Sequence, residues 1–257
     1  MLIKYFTFIF KRRIIILKIK EMQPLSIKMG DLKMARIQIN SQDTINITKH
    51  SGKMEGLRSL STYKNFNENC KRLSQNKLSI CSHCYVDKNI KRYSTKEGNA
   101  LENALVDNHK LLTSRLLTKE EIIRLNLFND VYFRFESFGD LNNEIQLRNY
   151  VNIAKHYKST NFALFTKHYN IIYKFVKENK MPSNINIVLS GIFLNSPFNT
   201  TIVNYIKKYH KNTITFVVYD EKTAEETSTR INCQKKCNTC LNCYKKGKKF
   251  DVVEKLK

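Results

Sequence analysis

From residue 129 onward, apolar residues recur at the two spacings that distinguish strands from helices. The predicted strands are residues 131–136, 161–165, 186–189 and 213–219, and the predicted helices are residues 143–157, 169–178 and 199–209. Strand and helix alternate with short loops between them, which is typical of βα units in a parallel sheet. We therefore predict an α/β fold in which parallel βα units form a partial (β/α) barrel-like sheet.

The pattern is weaker in the first half of the chain. Residues 37–47 alternate loosely between apolar and polar side chains, which predicts one or two short strands. A helix is indicated between residues 97 and 117, where leucines recur at near-helical spacing. The segment Thr118-Lys119-Glu120-Glu121 has the form of a capping box, which predicts that another short helix begins there.

The first 20 residues contain two apolar runs, Leu2 to Phe10 and Ile14 to Leu17, on either side of Lys11-Arg12-Arg13. Both are much shorter than the roughly 20 apolar residues that cross a bilayer, and the charges do not precede a single apolar stretch as in a secretory signal. Two interpretations stay open: an amphipathic segment on a membrane surface, or a chain whose true start is Met22, Met29 or Met34. We expect no transmembrane segment and a cytoplasmic location.

Three regions follow from these patterns. Residues 1–30 form a poorly determined N-terminal extension, and residues 31–222 form the α/β domain, which carries a group of three cysteines. Residues 223–257 form a C-terminal metal-binding tail with a second, cysteine-rich group and many lysines.

Composition adds a strong positive charge to this picture. Of the 257 residues, 42% are hydrophobic and 26% are charged, close to the averages for globular proteins. The formal net charge of +23 attracts polyanions, among which nucleic acid is the first candidate. The basic residues are dispersed along the chain and most are lysines, so a merely solvated surface is the alternative.

The seven cysteines are the most informative residues in the sequence. Their number is odd, and they lie in two tight groups in a chain without a recognisable secretory signal. A disulfide framework needs even numbers and an oxidising compartment. The pattern therefore favours metal ligation in a reducing compartment.

The second group, which we call the cysteine tetrad, has the spacing Cys233-x3-Cys237-x2-Cys240-x2-Cys243. Four thiolates complete either a tetrahedral zinc site or a four-iron cluster. A zinc ribbon usually separates two cysteine pairs by a longer stretch, whereas these four lie within eleven residues. A [4Fe-4S] cluster is therefore favoured, with zinc as the alternative.

The first group, which we call the cysteine triad, has the spacing Cys70-x10-Cys81-x2-Cys84. Three protein ligands leave a coordination position open, as in metal sites that do chemistry. His83 is a poor fourth ligand, because its position between Cys81 and Cys84 would strain the backbone.

The segment Cys81-Ser82-His83-Cys84-Tyr85 resembles the end of the cysteine motif in radical S-adenosylmethionine (SAM) enzymes. The resemblance implies that the triad holds a [4Fe-4S] cluster whose open iron binds SAM, with His83 and Tyr85 beside the cofactor. It also implies a glycine-acid turn after the next core strand, and Ser137-Phe138-Gly139-Asp140 occupies that position. This chain departs from the family in having ten residues, rather than generally three, between its first two cysteines, and in having Phe138 within Ser-Gly-Asp.

A second resemblance covers residues 45–245. The order of motifs is similar to that of the phage "gene product 88" family: Gly52-Lys53-Met54-Glu55-Gly56, the triad, Ser137-x-Gly139-Asp140, Phe165-Thr166-Lys167 and the tetrad. This likeness implies a protein encoded by a phage or another mobile element. The parallel βα layout places Thr166 with Gly139 and Asp140, at the carboxyl ends of the strands, where such folds bind ligands.

The resulting expectation is a radical SAM-like iron–sulfur protein with two [4Fe-4S] clusters, one of the SAM type on the triad and one auxiliary on the tetrad. SAM is the expected small-molecule partner. The expected cofactor-binding residues are His83, Tyr85, Ser137, Gly139, Asp140 and Thr166; the substrate, and whether the protein is an enzyme at all, stay open. The alternative is a basic zinc- or cluster-stabilised protein that binds nucleic acid without SAM chemistry.

Overall fold

The computed structural model describes residues 6–10, 13–17, 25–29, 32–94, 99–198, 200–247 and 251–256. Side chains are described from Met34 onward, with the exception of Thr200. Of the N-terminal segment 1–20, only the backbone of residues 6–10 and 13–17 is described; of the alternative starts, Met22 lies outside the described residues and only the backbone of Met29 is described.

The described strands and helices follow each other along the chain. The strands are β1 Phe6–Phe10, β2 Arg13–Leu17, β3 Leu25–Met29, β4 Leu32–Gln38, β5 Thr44–Lys49, β6 Arg58–Leu60, β7 Tyr132–Phe135, β8 Asn161–Thr166, β9 Ile185–Ser190, β10 Thr213–Tyr219 and β11 Val252–Lys255. The helices are α1 Glu68–Gln75, α2 Tyr85–Arg92, α3 Ala100–Ser114, α4 Lys119–Arg124, α5 Glu144–His156, α6 Tyr169–Glu178, α7 Thr200–Tyr209, α8 Glu221–Glu226 and α9 Cys237–Cys240. Short 3₁₀ turns cover Gly52–Met54, Lys64–Phe66 and Ile80–His83.

Nine of these strands form one open sheet in the order β11-β10-β9-β8-β7-β6-β5-β4-β3. Strands β6 to β11 pair in parallel, whereas β3, β4 and β5 are antiparallel to their neighbours. β1 and β2 pair only with each other among the described strands. The predicted α/β fold is confirmed with a mostly parallel sheet, whereas the predicted partial barrel is not: the sheet is open, and antiparallel strands extend one edge of it.

The two faces of the sheet are covered differently. Because the parallel strands follow chain order, right-handed crossovers place their helices on one face. That helix face holds the main core, in which Phe133 and Phe135 of β7 and Phe162 and Leu164 of β8 pack with α5, α6 and α7. The alternating side chains of the same strands point to the opposite, open face.

The C-terminal segment covers part of the open face. Tyr244 and Val252 are buried there against Ala163, Val188 and Ile214. Strand β11 continues the sheet in parallel with β10, an element that the sequence pattern did not predict. The tetrad therefore lies against the sheet.

In the described part of the chain, no helix combines the length and the apolar character needed to span a bilayer.

Candidate metal centres

Cys70 is positioned by the residue that caps its helix. The Asn67 side chain accepts hydrogen bonds from the backbone N–H groups of Asn69 and Cys70, and so begins α1. The same side chain donates from Nδ2 to the carbonyl oxygens of Asp140 (3.2 Å) and Leu141 (2.8 Å). One buried asparagine thus fixes the first cysteine of the triad beside the loop that follows β7.

The other two cysteines of the triad lie at either end of a short turn. Buried Ser79 opens the 3₁₀ turn by accepting a hydrogen bond from the N–H of Cys81 at 3.1 Å. The N–H of Ile80 donates to the carbonyl of Ile192, which follows β9. Cys84 is the N-cap residue of α2. The turn is therefore fastened at the carboxyl end of the parallel strands.

The three thiols share one electrostatic environment. Burial raises the pKa of Cys70, nearby Asp140 raises it further, and the Lys167 ammonium lowers it, with smaller contributions from Cys81 and Cys84. Burial likewise raises the pKa of Cys84, and Cys81 adds to this effect. At neutral pH these two buried thiols are in the neutral form, so metal ligation would release their protons.

Lys167 is the cation of this neighbourhood, and the sequence analysis did not single it out as a site residue. Burial lowers the pKa of its ammonium, but the negative charge of Asp140 and of the three cysteines in their thiolate form raises it above the usual value. The ammonium therefore stays charged beside the triad. A fixed positive charge there offsets the negative charge of thiolate ligands.

Asp140 and Thr166, predicted separately as site residues, contact each other. The Thr166 hydroxyl donates to Oδ1 of Asp140 at 2.5 Å, and the N–H of Lys167 donates to Oδ2 at 2.9 Å. The N–H of Leu141 also donates to Oδ1. The buried carboxylate thus joins the loop after β7 to the end of β8.

Gly139 lies where the chain has no room for a side chain. A Cβ atom there would be 2.6 Å from Oε2 of Glu136, 2.9 Å from Oγ1 of Thr62, and closer still to the Thr62 carbonyl oxygen. The sequence analysis expected a glycine that permits close backbone approach. The structure shows that the approaching group is Thr62, in the segment after β6.

Tyr85 connects the cysteine turn with the loop after β7, because its hydroxyl donates to the carbonyl oxygen of Ser137. The Ser137 hydroxyl is buried in a network with Ser59 (2.7 Å), Ser61 (2.9 Å) and Nε2 of His50 (3.2 Å). Burial lowers the pKa of His50 to about 3, so this imidazole is neutral.

His83, expected near the adenine of SAM, is exposed on the turn next to Cys84. It does not lie among the buried groups of the site.

Glu136 begins the loop that follows β7 and connects it by hydrogen bonds to neighbouring elements. The sequence analysis did not predict this role. The backbone of Glu136 has a φ of 59°, a left-handed conformation that costs a residue with a side chain roughly 1 kcal/mol. Its buried carboxylate accepts hydrogen bonds from the Tyr150 hydroxyl, from Gln146 Nε2 (2.7 Å) and from the Thr62 N–H (3.2 Å). Burial raises the pKa of Glu136 to about 7.

This pKa predicts a pH dependence of stability. A carboxyl whose folded pKa lies above the ordinary 4.5 keeps its proton in the fold while the unfolded chain releases it. Its stabilising contribution is therefore present below about pH 4.5 and is lost as the pH rises through about 7. Urea unfolding should show that Glu136 lowers the free energy of unfolding of the unchanged protein by up to about 3 kcal/mol between pH 5 and pH 8. Glu136→Gln should lack this decrease. Parallel pH profiles of the two proteins would contradict the assignment.

The tetrad is formed around a short helix. Helix α9 contains Cys237 and Cys240, and Leu241 ends it with a left-handed φ of 54°. All four cysteines line one small cavity of about 20 Å³, together with Tyr244 and Val252. A space of this size holds about one water molecule.

Contacts from the sheet and from the Gly52–Gly56 segment hold the tetrad in place. Asn186 on β9 donates to the carbonyl of Cys243 at 3.2 Å, and the Lys53 ammonium donates to the carbonyl of Cys233 at 2.8 Å. Lys236 pairs with Glu55 at 2.5 Å. The Gly52–Gly56 segment, one of the motifs of the second family resemblance, thus holds the tetrad against the domain.

Arg134 lies on the open face between the two cysteine groups. Its guanidinium stacks 3.6 Å from the ring centroid of Phe165, and Nη1 is 3.4 Å from Sδ of Met54. Burial raises the pKa of Cys243 to about 12, and the positive charge of Arg134 opposes this rise. Burial also raises the pKa of Tyr85, and Arg134 again acts in the opposite direction. A single cation thus acts on both the tetrad and the residue next to the triad.

The donor chemistry of both groups fits thiolate-bound metal. All seven cysteines are free thiols, and each group has a cation nearby. Within the ranges that the structure describes, no set of three or more His, Cys, Asp or Glu side chains is already arranged so that it could hold a metal ion. Binding at either group therefore requires the side chains to turn toward a common centre.

Fold and site together define an α/β protein with an open, mostly parallel sheet and two groups of free cysteines. The chain belongs to the gene product 88 family of phage proteins, whose model matches residues 35–253. This confirms the family resemblance seen in the sequence. No curated protein and no solved structure matches the chain.

Proposed function

We propose that this protein is an iron–sulfur protein of the radical SAM type, with a SAM-binding [4Fe-4S] cluster on the triad and an auxiliary cluster on the tetrad. One observation carries the proposal. The triad, the loop Ser137–Asp140 and the segment Thr166–Lys167 are far apart in sequence but lie together at the carboxyl ends of the parallel strands. Ligands of open α/β sheets bind at this edge.

The chain's own residues have separate tasks in this proposal. Asp140 and Thr166 fix the loop to the sheet, and Gly139 lets its backbone pass against Thr62. Lys167 supplies positive charge beside the thiolates and the carboxylate of SAM. The exposed ring of His83 is available for stacking against the adenine.

A [4Fe-4S] cluster held by Cys70, Cys81 and Cys84 would supply one electron to bound SAM, whose carbon–sulfur bond would break to release methionine and leave a carbon radical able to take a hydrogen atom from a substrate. The protein orients the cofactor and excludes water. On the open face, Tyr244 and Val252 beside the tetrad and the Arg134–Phe165 pair serve the second purpose, because they cover parts of the sheet.

Metal analysis of protein purified without oxygen tests this proposal. We expect brown protein with about eight iron and about eight sulfide per chain. Calorimetry on the reduced and oxidised protein should show one SAM site. Colourless protein with stoichiometric zinc and no sulfide would overturn the proposal.

The net charge of +23 favours the second candidate, a basic zinc- or cluster-stabilised protein that binds nucleic acid. This candidate is preferred if reconstituted protein has no SAM affinity while nucleic acid binds with a steep dependence on salt. It gives no role to Lys167 beside the triad.

A further inference from the structure

The outer surface of α6 and α7 carries exposed tyrosines. Tyr205 is 53% exposed and Tyr209 is 43% exposed, although Val203 and Ile206 on the same helix are buried in the main core. Tyr173 of α6 meets Tyr205 edge to face, with ring centroids 5.9 Å apart. Tyr205 and Tyr209 lie one turn apart on the same face of α7, and we call them, together with the partly buried Tyr173, the aromatic strip.

Lysines are frequent in the two chain segments that carry this strip. They are Lys174, Lys177, Lys180, Lys207, Lys208 and Lys211, and the only acidic residue in the segments 173–180 and 205–211 is Glu178. The ratio of basic to acidic residues is six to one there, against 45 to 22 in the whole chain. The charge is therefore concentrated around the tyrosines. We call the tyrosines and these lysines the α6–α7 patch.

Within the described residues, ion pairs do not neutralise the lysines of the patch. Among the described residues none of the six forms an ion pair with a carboxylate of the chain. The ammonium of Lys208 lies 5.8 Å from the centroid of the Tyr209 ring, so charge and aromatic surface are presented side by side.

We propose that the α6–α7 patch binds single-stranded nucleic acid. Aromatic rings stack on unpaired bases, and lysines follow the phosphates, which is the usual combination in such sites. Tyr205 and Tyr209 are one helical turn apart, about 6 Å along α7, so they can contact separate bases. Lipid binding fits less well, since the exposed apolar groups are tyrosines rather than aliphatic side chains that enter a bilayer.

This inference does not depend on the metal centres. The patch lies on the helix face of the sheet, whereas the tetrad covers the open face. Failure of either proposal therefore leaves the other intact.

Fluorescence anisotropy with labelled 20-nucleotide DNA and RNA tests the patch in the full chain. We expect Tyr205→Ser with Tyr209→Ser to weaken binding at least about tenfold, since each stacked base contributes about 1–3 kcal/mol. Lys208→Ala with Lys211→Ala should flatten the slope of log affinity against log salt by about 1.4, from two phosphates at about 0.7 each.

Lys110→Ala with Lys119→Ala is the matched control, because it removes the same charge from exposed positions on α3 and α4. This pair should leave the affinity within about twofold of the unchanged protein. Circular dichroism establishes that every variant is folded. Equal losses from both lysine pairs, or an unchanged affinity of the tyrosine variant, would overturn the proposal. So would binding to vesicles of phosphatidylserine and phosphatidylcholine that needs the tyrosines while nucleic acid does not bind.

Discussion

Replacing Gly139 by alanine is expected to destabilise the protein by about 3 kcal/mol or more, because the added methyl group has no space. Its Cβ would be 2.6 Å from Oε2 of Glu136 and 2.9 Å from the Thr62 hydroxyl, and the backbone carbonyl of Thr62 is closer still. The first two groups belong to a buried hydrogen-bonded network, so neither can move without losing partners. Urea unfolding followed by circular dichroism measures the effect.

Two other glycines separate crowding from backbone strain. Gly52 has a φ of +60° with nothing near its Cβ position, so Gly52→Ala should cost about 1 kcal/mol from conformation alone. At Gly191 the nearest atom is Cγ1 of Val217 at 3.2 Å, a side-chain atom that can shift. If Gly139→Ala costs no more than Gly191→Ala, the close approach to Thr62 is not what the position requires.

The βα half of the fold was predictable because its core residues repeat at regular intervals. Helix α6 has the bounds that the sequence predicts, and strand β10 does as well. Helix α6 repeats apolar residues at helical spacing along one buried face, whereas β10 is a short, largely apolar run that is buried on both faces.

Elements with few buried residues were not predictable. Strand β6 has three residues, and α1 and α2 each bury one apolar side chain, Leu73 and Val86. Strand β11 has four residues after a lysine-rich stretch and is defined by its pairing with β10. Such short segments take their structure from tertiary contacts, which periodicity does not report.

The site was predicted in its parts but not in its connections. Sequence placed Asp140 and Thr166 after consecutive strands, and their meeting follows from the parallel register, in which Phe135 lies opposite Leu164. The roles of Asn67 and Glu136 depend on hydrogen bonds to distant loops. No local spacing carries that information. A polar residue that follows a buried strand was the only available signal.

Removing the triad and the tetrad separately is expected to cost the same amount of iron but to affect SAM binding differently. Cys70→Ala with Cys81→Ala and Cys84→Ala should lower the iron content from about eight to about four per chain and abolish SAM binding. Replacing the four tetrad cysteines by alanine should remove the other half of the iron and leave the SAM affinity nearly unchanged. Iron and sulfide analysis together with calorimetry on both variants measures this, and each variant serves as the control for the other.

Stability should also differ between the two variants. Cys233, Cys237 and Cys243 pack against the buried Tyr244 and Val252, so a metal on the tetrad connects the C-terminal segment to the sheet. The tetrad variant should therefore lose more thermal stability than the triad variant, whose cysteines lie in a helix and a turn already fixed by Asn67 and Ser79. SAM binding that survives loss of the triad, or vanishes only with the tetrad in a folded protein, would show that the two groups have been assigned the wrong roles.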